Sequence, residues 1–202
     1  VRILVTGASG ALGQEVCRLL NDSGHDLLAL RDVDLSDPVE AQTVIDDHAT
    51  DGGFDGIVNI AGGFTWETVL DGDVESWDRM WAMNLKTALN TCRAAIPHMS
   101  DGGSIVNIGA AATARASAGM GAYTASKSAV ARLTEALADE LAPRAIRVNA
   151  VLPTIIDTPA NRKDMPDADP GAWVTTAELA NIIRFLLSPE SSAINGASIP
   201  TR

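Results

Sequence analysis

Cysteine, histidine, aromatic residues and positive charge are all scarce in this chain, and each shortage removes a class of protein from consideration. The 202 residues contain two cysteines, Cys17 and Cys92. Both sit in segments of helical periodicity, so a disulfide framework has no support and buried thiols are the simpler reading. His25, His48 and His98 are scattered, with no ligand-like spacing to cysteine or carboxylate, and no metal site is expected. Fifteen basic against 26 acidic residues leave a formal charge of −11. Such a chain repels a phosphate backbone and an anionic lipid surface, so neither nucleic acid nor membrane is an expected partner. No apolar run approaches the roughly 20 residues of a membrane helix. The chain opens on a strand-like segment without a basic-then-apolar leader, which makes the cytoplasm its expected location.

What is present is apolar material in short, regular instalments. At 46% hydrophobic the chain can bury one substantial core, and a single domain over residues 1–202 is expected. The runs Arg2–Thr6, Leu27–Leu30, Ile57–Ala61, Ser104–Ile108 and Ile146–Leu152 are rich in Val and Ile, as parallel strands covered on both faces should be. Between them, residues 11–22, 38–50, 75–98, 122–142 and 176–188 carry apolar residues at helical spacing, punctuated by Gly24, Gly52–Gly53, Gly102–Gly103, Pro143 and Pro189. The alternation predicts an α/β fold: a Rossmann-type, doubly wound parallel sheet in a three-layer sandwich, with ligands beyond the carboxyl ends of the strands. LLALR runs almost directly into DVDLSD, so a trimmed crossover without a helix is expected between strands 2 and 3. Residues 157–170, with three prolines, read as a loop over the strand ends, part of a substrate lid at 157–175. GASIPTR at the end has the look of a last edge strand in progress, from which a longer natural chain is expected.

After the first strand, GASGALG places Gly7, Gly10 and Gly13 at three-residue spacing where a helix begins. Such a turn either serves packing or lets a pyrophosphate approach the backbone in the positive field of a helix N-terminus. Arg31 ends the second strand, where an NAD-binding chain has an acidic residue. Its guanidinium can stack on adenine and pair with a 2′-phosphate, which favours NADP(H) over NAD(H). The adjacent Asp32 offers the ribose-binding alternative, and a solvated surface arginine is the plainest reading of Arg31.

Tyr123 and Lys127, in YTASK, fall at i and i+4, so both project from one helix face. An ammonium nearby would lower the phenol pKa and ready it for proton transfer, although taken alone the pair could be a solvated helix face. NIAGG at 59–63, MNLKTA around Asn84, GSIVNIG at 103–109 and RVNAVLPTIIDTP at 147–159 accompany it. With TGASGALG, these motifs in this order resemble the short-chain dehydrogenase/reductase family over essentially the whole chain. The resemblance implies an NAD(P)-dependent oxidoreductase with Tyr123 as proton donor or acceptor, Lys127 on the nicotinamide ribose, and Asn84 holding a water in a proton relay. It implies a cofactor bed of Gly7, Ser9, Gly10, Ala11, Leu12 and Gly13. Arg31, Asp34 and Leu35 follow at the adenine, then Asn59, Ala61 and Gly62 along the adenosine and ribose, and Pro153, Thr154, Ile155, Ile156 and Thr158 at the nicotinamide. It also implies a homodimer or homotetramer through helices 75–98 and 122–142.

One departure stands out. The family's catalytic serine normally lies 13 residues before the tyrosine, and Ala110 occupies that place. Loss of one such donor costs around 10²–10³ in turnover, unless Thr113, Ser117 or a water replaces it. The dihydropteridine reductase branch tolerates this loss and is similar in its GALG turn, its AGG and its VLPTIIDTPANRKDMPDAD stretch followed by Trp173. Departures from that branch are Asn84, and Arg31 where it carries an Asp. The resemblance implies hydride transfer to a small activated acceptor, such as a quinonoid dihydropterin, another heterocycle or a quinone. A general ketone reductase with a substitute donor and a non-catalytic dinucleotide sensor are the alternatives. Trp77 and Trp81 read as helix packing residues, while Trp66 and Trp173 could either pack or stack on a flat substrate.

Overall fold

The structure, a computed structural model, describes residues 1–49 and 53–202. The last position of the expected 38–50 helix and Gly52 lie outside the described residues. The first strand, β1 (Arg2–Val5), leads into α1 (Ala11–Asp22), β2 (Asp26–Ala29), α2 (Pro38–His48) and β3 (Phe54–Asn59). A long helical rod follows as α3 (Val74–Met80), a π-helical stretch (Trp81–Lys86) and α4 (Thr87–Ala95). Then come β4 (Met99–Ile108), α5 (Gly121–Glu140), β5 (Arg147–Leu152), β6 (Ile156–Asp157), α6 (Pro159–Asp164), β7 (Val174–Thr175), α7 (Thr176–Leu187) and β8 (Ser198–Pro200).

Six strands form one parallel sheet in the order β2-β1-β3-β4-β5-β8, and β6 pairs with β7 in a small separate ribbon. Two-residue periodicity sends alternate side chains into two cores. Ile3, Val5, Val58, Val106 and Val151 face α1 and α7. Leu4, Ile57, Ile105 and Val148 face α2, α4 and α5. Each large side chain taken fully from water contributes about 1.5–3 kcal/mol, which explains why the strands are apolar on both faces. Among the described residues, no helix is long and apolar enough to cross a membrane.

The trimmed crossover expected between strands 2 and 3 does not occur. DVDLSD forms no strand; it turns, and the chain enters α2 directly, so β2 and β3 are joined by a full helical crossover. Two carboxylates of this segment, Asp34 and Asp37, are occupied with the turn. Asp34 accepts from the backbone and hydroxyl of Ser36 at 3.0 and 2.6 Å, and Asp37 caps α2 by accepting from Val39 N at 2.7 Å. The expected loop over 157–170 contains α6, started by the Thr158 hydroxyl, which accepts from Asn161 N at 3.2 Å. Because the chain leaves β1 for β2 on one side and returns to β3 on the other, a crevice opens beyond the carboxyl ends of β1 and β3.

Candidate active site

The crevice is built first from backbone. Gly7 adopts φ +65°, and a β-carbon there would lie 2.7 Å from Ala61 N, so the β1–α1 turn and the end of β3 meet almost in contact. Thr6 ties them together: its buried hydroxyl accepts from Ile60 N at 3.1 Å and Ala61 N at 3.2 Å. A β-carbon at Gly13 would fall 2.1 Å from Gly7 O, which seats α1 hard against the turn. Ser9, Gly10 and Ala11 are exposed while Leu12 and Gly13 are buried. Gly10 precedes α1 in extended conformation with no side-chain cap. Ser9, Gly10 and Ala11, exposed at the start of a twelve-residue helix with no side chain at Gly10, leave its N-terminal field open, which fits the pyrophosphate of a nicotinamide dinucleotide.

Further along the crevice, Arg31 is exposed beside Asp32, which holds φ 53°. Asp34 is exposed, its carboxyl held below the usual range chiefly by the Ser36 hydroxyl. The Leu35 side chain turns into the core. Asn90, which sequence reasoning missed, fastens this segment to α4 by donating to Leu35 O and Ser36 O, both at 3.0 Å. Asn59 also points inward, donating to Asn107 Oδ1 at 2.8 Å and Cys92 Sγ at 3.3 Å, so only its backbone borders the crevice. Cys92 is fully enclosed, its thiol pushed up to about 12 by burial, and is chemically inert.

At the other end, the structure brings Tyr123, Lys127, Asn84 and Gly62 together. Lys127 is buried and donates from Nζ to Ile108 O at 2.8 Å, joining α5 to the end of β4. A β-carbon at Gly62 would lie 3.3 Å from that Nζ and 2.6 Å from Asn84 Oδ1. Burial lowers the Lys127 ammonium to about 8 and raises the Tyr123 phenol above its ordinary value. The expected lowering of the phenol by the ammonium is therefore not what this geometry produces: both groups lose water, and desolvation favours their neutral forms. At neutral pH Tyr123 carries its proton.

Asn84 lies in the π-helical stretch, with both ends of its amide bonded. Its Oδ1 accepts from Gly63 N at 2.9 Å, and its Nδ2 donates to Gly63 O at 3.1 Å and Ser126 Oγ at 2.9 Å. The side chain thus clamps the glycine turn to α5, and its Oδ1, which accepts one bond here, keeps a second lone pair. Ser126, also missed from sequence, passes the link on by donating to Tyr123 O at 2.7 Å.

Ala110 is buried in extended backbone between two cross-strand anchors, Gly109 N to Val151 O and Ala111 N to Pro153 O, each 2.8 Å. Thr113 spends its hydroxyl on Ala110 O at 2.8 Å, and Ser117 is exposed. Pro153 is buried, Thr154 and Ile155 are exposed, Ile156 lies in β6 and Thr158 caps α6. Trp173 is buried, which removes it as an open stacking surface. Trp77 lays its ring against Gly121 at the start of α5, as a packing residue, while both it and Trp81 stay partly exposed. Phe64, unnoticed in the sequence, meets Tyr123 edge-to-face with ring centroids 5.0 Å apart. The only available signal was an aromatic directly after AGG in a chain poor in aromatics.

Known proteins share this architecture. A family model described as Enoyl-(Acyl carrier protein) reductase matches residues 1–201. The chain is 36% identical over 184 residues to a short-chain dehydrogenase/reductase, ABA4, of Pyricularia oryzae, covering 82% of this chain and 68% of the relative. It is 32% identical over 208 residues to an uncharacterized NAD-dependent oxidoreductase of Mycobacterium tuberculosis, covering 92% and 75%. The ligand-free aldohexose dehydrogenase of Thermoplasma acidophilum superposes with a TM-score of 0.92 at 28% identity, over 99% of this chain and 91% of that one. Together with the dinucleotide cradle and the Tyr123–Lys127 pair, these matches place the chain in the short-chain dehydrogenase/reductase family, as an NAD(P)-dependent oxidoreductase.

Proposed function

We propose that the protein is an NAD(P)H-dependent reductase of a small activated acceptor, of the quinonoid dihydropterin type or a related heterocycle or quinone. The observation that carries this reading is Ala110: the buried position before the 111–114 turn has a methyl group where a hydroxyl would polarise a carbonyl. Thr113 does not compensate, since its hydroxyl is turned onto Ala110 O. An acceptor that regains a stable conjugated ring on reduction needs little polarisation, and then the missing donor costs little.

When bound, the nicotinamide supplies the hydride. Tyr123 Oη supplies the proton: its phenol is held protonated by burial, which suits a donor, and solvent restores the proton after turnover. Lys127 Nζ, fixed by Ile108 O, stays mostly cationic at neutral pH and stabilises the tyrosinate left behind. Asn84 holds Gly62 and Gly63 against this pair. Exposed Arg31 supports NADP(H) as the preferred cofactor, by pairing with a 2′-phosphate.

A second reading, reduction of simple ketones or oxidation of alcohols, is favoured by the structural relative named as an aldohexose dehydrogenase. An acceptor panel with NADH and NADPH separates the two. Turnover of quinonoid dihydropterin or quinone at least 10² above that of simple ketones is expected, the penalty set by one missing donor; ketones turned over as fast would favour the second reading.

A further inference from the structure

We propose that Phe64 and Trp66 form one wall of the acceptor site and select a flat, conjugated ring over a saturated one. The inference rests on Tyr123 being the group that faces the acceptor. Aromatic residues are only 4% of the chain, yet Phe64, Trp66 and Tyr123 converge at the start of α5. Phe64 touches Tyr123 at 5.0 Å with an interplanar angle of 85°, while 56% of the residue remains exposed. Contact with the reacting phenol on one side and open surface on the other describe a wall.

The wall is held in place from both ends. On one side, Asn84 binds both backbone groups of Gly63, the residue immediately before Phe64. On the other, Glu67 N donates to Gly119 O at 2.9 Å, and the Trp66 indole lies across Gly119. Gly119 has φ +77°, and a β-carbon there would fall 2.1 Å from Trp66 Cε2, so only glycine admits the ring. Trp66 is itself 61% exposed. Two large aromatics left open to water beside a proton donor contribute little to folding by that open surface, and they offer a ligand the edge and face contacts that a conjugated ring returns and a saturated ring cannot.

Calorimetric titration of the purified protein with naphthol and its fully saturated analogue, decahydronaphthol, tests this without turnover. The two share a skeleton and a hydroxyl and differ in ring character. Naphthol is expected to bind more tightly. Phe64→Leu, which keeps volume and removes the π-face, should weaken naphthol between about twofold and about tenfold and leave decahydronaphthol within about twofold, with Trp66→Leu acting in the same direction. Equal affinity of the two ligands for the wild-type protein, or a Phe64→Leu effect that is absent or the same for both, overturns the proposal. Absence of NAD(P)H oxidation with any acceptor would count against the reductase reading instead, and would leave the binding preference standing.

Discussion

Returning a hydroxyl to position 110 should convert a poor ketone reductase into a competent one. Ala110 is buried, its backbone is extended at φ −157° and ψ 140°, and its neighbours are fixed by 2.8 Å hydrogen bonds to Val151 O and Pro153 O. Ala110→Ser therefore adds one oxygen to a rigid frame without backbone strain. A single donor to a developing oxyanion contributes roughly 2.7–4 kcal/mol, so kcat for a simple ketone such as cyclohexanone should rise by about 10²–10³. The rate on a quinonoid dihydropterin should change by less than about fivefold, because that acceptor makes little use of such a donor. In the absence of ligand the new hydroxyl sits in a mostly dry place, at a cost of about 1–3 kcal/mol if unpartnered. For a chain of this length that lowers Tm by about 2–4 °C per kcal/mol. Initial rates of NADPH oxidation with both acceptors, alongside a thermal melt, measure all three quantities. A folded Ala110→Ser protein with no gain on ketones, or with equal gains on both acceptors, would refute the role assigned to this position.

Lys127 should impose a pH dependence on stability. Its ammonium titrates at about 8 when folded against an ordinary 10.5, so between those values the unfolded chain binds more protons and stability rises with pH. The penalty for burying the charge is fully present below about pH 8 and is relieved towards pH 10. It is worth at most about 3 kcal/mol. Denaturant melts of wild type and Lys127→Met across this range should show the contribution in the wild type alone; parallel profiles would contradict it. Tyr123 is the chain's single tyrosine, so tyrosinate absorbance reports it directly. Its apparent pKa in the ligand-free protein should lie above the ordinary value of 10, because burial disfavours the anion. Gly13→Ala places a β-carbon 2.1 Å from Gly7 O, and by forcing the turn apart it should weaken NADPH binding at least about tenfold in a fluorescence titration.

The parts of the fold that could be read in advance are those in which burial dictates composition. β1, β3 and β5 are covered on both faces, so their Val and Ile runs mark them to within a few residues, whereas β4 begins at Met99, ahead of its apolar run, and passes through the polar SDGG stretch. DVDL misled because Val33 and Leu35 alternate like a short strand, whereas the carboxylates around them do the work of a turn and a helix cap. The π-helical stretch at Trp81–Lys86 widens the hydrogen-bond ladder without changing the apolar spacing, and so left no trace in the pattern. Within the site, the Tyr123–Lys127 pair was visible because helical spacing alone puts both on one face. The sign of the Tyr123 shift was not, since it depends on burial, which only the folded chain sets. Phe64 escaped notice because a lone aromatic in a loop has no periodicity; only the folded turn brings it to Tyr123.

The central claim is that Tyr123 delivers the proton to an acceptor that needs no hydroxyl at position 110. It is tested most directly by comparing wild type with Tyr123→Phe in NADPH-driven reduction of quinonoid dihydropterin, with cofactor affinity measured in parallel. A kcat lower by about 10²–10⁴ and a cofactor Kd within about twofold are expected. Turnover retained in Tyr123→Phe, with the cofactor bound as before, would contradict it.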